Sequence, residues 1–237
     1  MARKIRFEDL VLWEDDDYVL INKPPFISTL EDRNSPMNIL EMARQVIPDA
    51  QVGHRLDKET SGVLALAKNA EAYRHLSVQF EQRKVNKEYH ALCDGIHDFK
   101  DFTVTDKILK LSNGSVRIDR AGKEARTIFN TLHAYKLHSL IRCQPITGRM
   151  HQIRIHLANN GASITGDPLY GGKPFYLSSI KRNYNLGKWE EELPLIKRHA
   201  LHAHALSFKD LSGNEVAVKA EYPKDFRVVV KQLDKNV

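Results

Sequence analysis

The 237-residue sequence predicts an α+β protein, a largely antiparallel sheet with helices inserted between its strands. Three observations predict it. Apolar and polar residues alternate in short stretches from Val11 to Ala220, the period of half-buried strands. Asn38 to Val46 and Asn69 to Arg83 instead repeat their apolar residues at helical spacing. No repeat, low-complexity tract or obvious linker divides the chain, so residues 1–237 are expected to form a single domain, and 42% hydrophobic content is ample for its core.

The first element is a β-hairpin, two apolar runs around the acidic turn Glu14-Asp-Asp-Asp, ended by Pro24 and Pro25. Lys23 leaves its second strand where proline fixes φ; it reads equally as a solvated strand end or a phosphate contact. Ile39, Leu40, Met42, Ala43 and Val46 mark a short amphipathic helix ahead of Pro48. Gly53 to Asn69 then sets His54, Arg55, Asp57, Lys58, Glu59, Thr60 and Ser61 against the apolar run Val63–Ala67, which reads as a strand covered on both faces. Asp57 falls in the loop entering that strand, with Arg55 as a positive partner two residues away. It reads as a self-bonded turn residue or as a mounted reactive carboxylate.

Asn69 is the expected N-cap of a helix to about Arg83, with Tyr73, Leu76 and Phe80 on its core face. Strands are expected at Lys87–Cys93, with Tyr89, Ala91 and Cys93 on one side, at Lys123–Tyr135 and at Ser139–Ile146. Thr147 and Gly148 supply a turn and cap for a helix over Met150–Ala158, which Asn160-Gly161 stops. Arg149, His151, Gln152, Arg154 and His156 crowd that helix, the density of a site or of a heavily bonded interior. Gly166-Asp-Pro-Leu-Tyr-Gly-Gly is a turn-rich loop, Lys173–Arg198 a surface excursion, and Val216–Ala220 pairs with the strand from His199 across Ser212-Gly-Asn.

Charge and cysteine usage narrow the class. Thirty-six Lys and Arg against thirty Asp and Glu leave a formal charge of +6, suited to a polyanionic partner. Cys93 and Cys143 have no metal-type spacing and are expected as buried free thiols. No apolar run nears the roughly 20 residues that cross a bilayer, and Met1-Ala-Arg-Lys-Ile-Arg-Phe-Glu has no signal-peptide core, so a cytoplasmic protein with no membrane partner is expected.

Spacing removes several chemistries. There is no phosphate-binding Gly-rich loop ending in Lys-Ser/Thr, no G-x-G-x-x-G and no G-x-S-x-G. His151 and His156 miss the i,i+4 register of a helical zinc pair, and His199, His202 and His204 lack Cys, Asp or Glu neighbours, so no metal is expected. What remains is a loop aspartate, a strand tyrosine and an Arg-rich helix in a basic protein. A single carboxylate beside an aromatic and cations suits attack on a glycosidic centre or removal of a nearby proton. A retaining glycosidase would need a second carboxylate, for which Asp167 or Glu88 has no distinguishing context.

His54-Arg-Leu-Asp-Lys-Glu-Thr-Ser-Gly resembles the H-R-L-D-x-x-T-S-G signature of RluA-type RNA pseudouridine synthases. The resemblance continues, in the family's order, through the hairpin ending Asn22-Lys-Pro-Pro, Lys87-Glu-Tyr-His-Ala-Leu, Thr147-Gly-Arg-Met-His-Gln-Ile-Arg-Ile-His-Leu-Ala, Gly166-Asp-Pro-Leu-Tyr-Gly-Gly and Ala200-Leu-His-Ala-His-Ala-Leu-Ser-Phe. It implies a bent, mixed and mainly antiparallel sheet with helices and loops around a central catalytic cleft. It also implies isomerisation of uridine in ribosomal or transfer RNA without cofactor, by a protein with no obligate protein partner and expected to be a monomer. Asp57 matches the essential aspartate, acting as nucleophile or as base for a ribose proton. Tyr89 matches the tyrosine that stacks on uracil and helps remove the carbon 5 proton, and Arg154 the basic residue paired with the aspartate. Arg55 matches the arginine that fills the gap left by the flipped nucleotide. Lys23, Thr60 and Arg149 are lesser candidates for holding backbone or shaping the loop.

Two departures stand out. Only ten residues precede Val11, so the accessory RNA-binding domain found N-terminal in relatives is expected to be absent, and Lys-Asp-Leu-Ser-Gly after Phe208 replaces a His-Pro turn. A non-catalytic RNA-binding protein on the same fold and a nucleoside or glycoside hydrolase are the rival expectations. Isomerisation keeps the base attached, whereas hydrolysis would release uracil.

Overall fold

The computed structural model describes residues 5–31, 37–112, 114–181, 184–185 and 191–236. In chain order the elements begin with β1 (Val11–Glu14), β2 (Tyr18–Lys23), α1 (Ile39–Arg44), β3 (Gln51–Val52), β4 (Ser61–Ala67) and α2 (Ala70–Glu81). There follow β5 (Asn86–Asp94), β6 (Phe102–Lys110), β7 (Val116–Ile118), β8 (Lys123–Ala134), β9 (His138–Pro145) and α3 (Gln152–Asn159). The chain closes with β10 (Leu201–Lys209), β11 (Glu215–Lys219) and α4 (Lys224–Lys235). Two compact units result, one from Met1–Tyr89 with His202–Tyr222 and the other from His90–Leu201 with Pro223–Val237.

In the first unit the hairpin forms as expected, β1 antiparallel to β2 with a bulge between Val11 and Trp13. β2 lies antiparallel to β4, from Tyr18 opposite Ala67 to Lys23 opposite Gly62. On its other side β4 pairs with β3 and, in parallel, with β10, which also pairs antiparallel with β11. Every residue of β4 is buried. Val63, Ala65 and Ala67 face one core with Leu76 of α2 and Phe208 of β10; Leu64 and Leu66 face a second with Ile39 and Met42 of α1. Fully burying each Val or Leu here stabilises the fold by about 1.5–3 kcal/mol. Gly62 sits at φ 114°, and a Cβ there would lie 2.1 Å from the Ala203 carbonyl oxygen, so the parallel junction of β4 and β10 requires glycine.

The Asn69 side chain accepts from the Ala72 N–H, capping α2 as its position predicts. The core face is rotated from the expected stripe. Ala72, Leu76 and Gln79 are buried while Tyr73 is 37% exposed, because the Gln79 amide is drawn inward to bond both backbone groups of Lys209.

In the second unit β7, β6, β8 and β9 form an antiparallel run, with a bulge between Thr131 and His133. Ile155 of α3 packs with Ile108, Val116 and Ala125 from these strands. The helix is entered at His151, in the left-handed region with φ 52°, rather than through a Thr147–Gly148 cap. Thr147 acts one step removed: its hydroxyl donates to the Gln152 side-chain oxygen, which also accepts the Arg149 N–H. Asn160 and Gly161, at φ 76°, end the helix as expected. Cys93 and Cys143 are free and buried.

The Lys173–Arg198 excursion is only partly a surface segment. Phe175 and Ile196 are buried, and Arg198, fully buried, forks onto Asp225 in the first turn of α4 (Nε–Oδ2 2.7 Å, Nη2–Oδ1 3.1 Å). Residues 182–183 and 186–190 of that stretch lie outside the described residues. α4, β3, β6 and β7 have no counterpart among the expected elements.

Candidate active site

The loop from His54 to Thr60 carries Asp57, and it is held in the first unit mainly through its own backbone. Thr29 clamps Leu56: its hydroxyl donates to the Leu56 carbonyl at 2.9 Å and accepts the Leu56 N–H at 3.1 Å. Phe26 N–H donates to Lys58 O at 2.8 Å, and Thr60 N–H closes a turn onto Asp57 O at 3.0 Å. At the loop's start, His54 Nε2 accepts the Ala65 N–H of β4 and the ring stacks on Phe80 at 4.7 Å. An accepting Nε2 means a neutral ring with its proton on Nδ1. Burial, and after it the charge of Lys87, holds the His54 pKa at about 3.

Lys23 is not a solvated strand end. It is 0% exposed, and its ammonium donates to the carbonyls of Pro24, Ile27 and Lys58 at 2.9–3.1 Å. The bond to Lys58 ties the Lys23 ammonium to the Asp57 loop, in line with a part in shaping that loop. Thr60 is likewise buried, with its backbone in the turn, consistent with shaping the loop. Arg55 is exposed and Asp57 partly buried, so the same backbone bonds present one side chain to solvent and shelter the other.

Tyr89, on β5, packs against the core that contains Leu56 and Ile39. Burial raises its phenol pKa strongly and the Asp57 charge raises it further, so the hydroxyl stays protonated and Asp57 lies within its electrostatic reach. Lys87, two residues earlier on the same side of the strand, is lowered to about 8 by burial and then by Arg83.

Arg154 belongs to the second unit, where α3 sends it into a bidentate pair with Asp167. Nε meets Oδ2 at 2.7 Å and Nη2 meets Oδ1 at 2.8 Å, with Arg154 7% and Asp167 1% exposed. The guanidinium also lies over the Tyr170 ring, 5.0 Å from its centroid. Arg149 is turned to the strands, its Nε donating to the Glu124 carbonyl. Thr29, His54, Asp167 and Tyr170 received no role from sequence. Asp167 and Tyr170 stand in a recognisable motif, whereas Thr29 carries no local signal because its partner is 27 residues away.

The fold is shared with solved pseudouridine synthases. Human RNA pseudouridylate synthase domain containing 4 superposes with a TM-score of 0.72 at 24% identity, over 96% of this chain and 94% of that one. Human RNA pseudouridylate synthase domain containing 1 gives 0.68 at 23% identity, over 94% and 87%. In sequence, a family model described as RNA pseudouridylate synthase matches residues 17–159. Ribosomal large subunit pseudouridine synthase C of Salmonella typhimurium and that of Escherichia coli K12 are each 34% identical over 224 residues, spanning 92% of this chain and 67% of theirs. The chain belongs to the RNA pseudouridylate synthase family, and it is an isomerase that converts uridine in RNA to pseudouridine.

Proposed function

We propose that the substrate is ribosomal RNA of the large subunit and that Asp57 is the group that starts the reaction. The reaction breaks the bond between ribose carbon 1′ and uracil N1, turns the base, and joins carbon 1′ to carbon 5. One proton leaves carbon 5 and one is gained at N1, so atoms and electrons balance without an external reagent. The observation that carries the assignment is a carboxylate on a backbone-held loop within electrostatic reach of a partly buried tyrosine that packs against the same core as Leu56 of that loop. Asp57 attacks carbon 1′ or takes the ribose proton that releases the base. Tyr89 stacks on the freed uracil. Because its phenol is held protonated, it accepts the carbon 5 proton only as it hands its own proton on.

Arg154 takes the part of the family's basic residue, a role supported by the match of Thr147–Ala158 to the motif. Arg55, exposed at the mouth of the loop, fills the stack vacated by the flipped nucleotide. Arg149 and Thr60 support backbone and loop. Large-subunit RNA is favoured over transfer RNA because the relatives at 34% identity are ribosomal large subunit pseudouridine synthases. No helix among the described residues is long and apolar enough to cross a membrane. The protein is proposed to work as a monomer in the cytoplasm.

Asp57→Asn keeps the shape and removes nucleophile and base together. It is expected to fold and bind RNA while forming no pseudouridine, assayed by tritium release from 5-tritiated uridine in unmodified large-subunit RNA. Turnover at the wild-type rate would sink the assignment. Comparing pseudouridine maps of ribosomal and transfer RNA from cells with and without the gene tests the substrate; a site lost only from transfer RNA would overturn the ribosomal reading.

A further inference from the structure

The Arg154 guanidinium is held by a carboxylate and a ring of one short loop. Asp167 takes the Nε and Nη2 edge through two charge-assisted bonds, and the guanidinium carbon lies over the Tyr170 ring, 5.0 Å from its centroid. The loop is itself closed on Asp167, whose carbonyl accepts the Tyr170 N–H at 3.3 Å and the Gly172 N–H at 2.8 Å. Ser163 Oγ donates to the Tyr170 carbonyl. A Cβ at Gly172 would lie 1.8 Å from the Ile164 carbonyl oxygen, so only glycine lets the loop close this tightly.

The Tyr170 ring is fixed at its far end as well. Its hydroxyl meets His151 Nδ1 at 2.8 Å and accepts the Val116 N–H at 3.3 Å. His151 reaches it from the left-handed backbone region, φ 52° and ψ 20°, which non-glycine residues seldom occupy. Such backbone strain persists only where its surroundings over-determine it. An ion pair that served burial alone would need the carboxylate but no aromatic floor tethered by a strained histidine.

We propose that Tyr170, tethered by His151, is a positioning residue that together with Asp167 sets the plane and direction of the Arg154 guanidinium for pseudouridine formation. The proposal rests on the assignment of Arg154 as the basic group of the reaction. Asp167 fixes two nitrogens, and the ring opposes displacement of the guanidinium across it. An arginine loosened in this way keeps its charge but loses its aim, so the effect falls on kcat and not on RNA affinity.

The experiment compares Tyr170→Phe, Tyr170→Leu, Arg154→Ala and the Tyr170→Leu/Arg154→Ala double variant of the full chain on unmodified large-subunit RNA. Tyr170→Leu is expected to lower kcat about tenfold with KM within about twofold, the size of a lost cation–π contact in a desolvated site. Tyr170→Phe keeps the ring and loses the tether, and about threefold is expected. The double variant should be no slower than Arg154→Ala, since there is then nothing left to aim. The Arg154 Nε–H NMR resonance should lose its ring-current shift in Tyr170→Leu and keep it in Tyr170→Phe.

Wild-type kcat in Tyr170→Leu alongside an inactive Arg154→Ala overturns the positioning role and leaves the Arg154 assignment standing. Full activity of Arg154→Ala overturns that assignment, and the positioning role with it. If Tyr170→Leu does not fold, Tyr170→Phe decides: an unchanged kcat overturns the tether from His151.

Discussion

The two regions that carry the candidate reactive groups are immobilised by opposite means. The His54–Thr60 loop is held by its main chain, with Leu56 pinned by Thr29, Lys58 by Phe26 and the buried Lys23, and the turn closed from Thr60 to Asp57. Arg154 is held by side chains, a bidentate carboxylate and a ring, from a helix whose entrance is itself organised by the Gln152 amide. Main-chain restraint fixes where a side chain starts. Side-chain restraint fixes the tip. A carboxylate that must approach a moving ribose suits the first arrangement, and a cation that must keep one orientation suits the second.

The sharpest way to break this contrast is Asp167→Leu, which removes the bidentate carboxylate from the buried Arg154 cation and is expected to cost about 3–5 kcal/mol in urea unfolding. A loss under 1 kcal/mol would mean that Asp167 is not what holds the arginine. On the loop side, Lys23→Met leaves the Pro24, Ile27 and Lys58 carbonyls without their ammonium donor. A destabilisation of about 2–3 kcal/mol is expected, with activity lost through the displaced loop; a stable, fully active variant would deny Lys23 a part in shaping it. Thr29→Val, nearly isosteric, removes only the clamp on Leu56. About 1–2 kcal/mol is expected, and kcat should fall more than RNA affinity, checked by turnover against filter binding.

Acid separates the regions more gently. His54 is held to about 3 by burial and Lys87, and His156, on α3, to about 4 by burial against a smaller opposing pull from Asp106. Both lie below the ordinary value of 6.5, so below pH 6.5 the unfolded chain binds protons that the folded chain refuses. Stability is therefore expected to fall as pH drops from about 6.5 towards 4. His54→Gln should flatten that slope from the loop side and His156→Asn from the helix side, each by up to one proton; an unchanged slope in both would place the acid sensitivity elsewhere.

The local sequence determined a great deal here. β4 was legible because its apolar run lacks alternation and both of its faces are buried, and α2 because Asn69 precedes a helical repeat. The H-R-L-D-x-x-T-S-G string marked Asp57, and its glycine is explained by the approach of Ala203. Other elements were illegible for a physical reason. α4 is stabilised by Phe226, Val229 and Leu233 packing inward and by Arg198 at its first turn, while β3 is a two-residue strand that exists only by pairing with β4. The tertiary structure alone decided that Lys23 is buried, that Tyr73 faces out while Gln79 turns in, that Thr29 holds Leu56, and that Arg154 forks onto Asp167. Composition and period report how a residue meets its neighbours in the chain. Which carbonyl accepts a lysine's hydrogen bond, or which ring lies against a guanidinium, depends on segments brought together only by folding, because a hydrogen bond is made within about 3 Å whatever the separation in sequence.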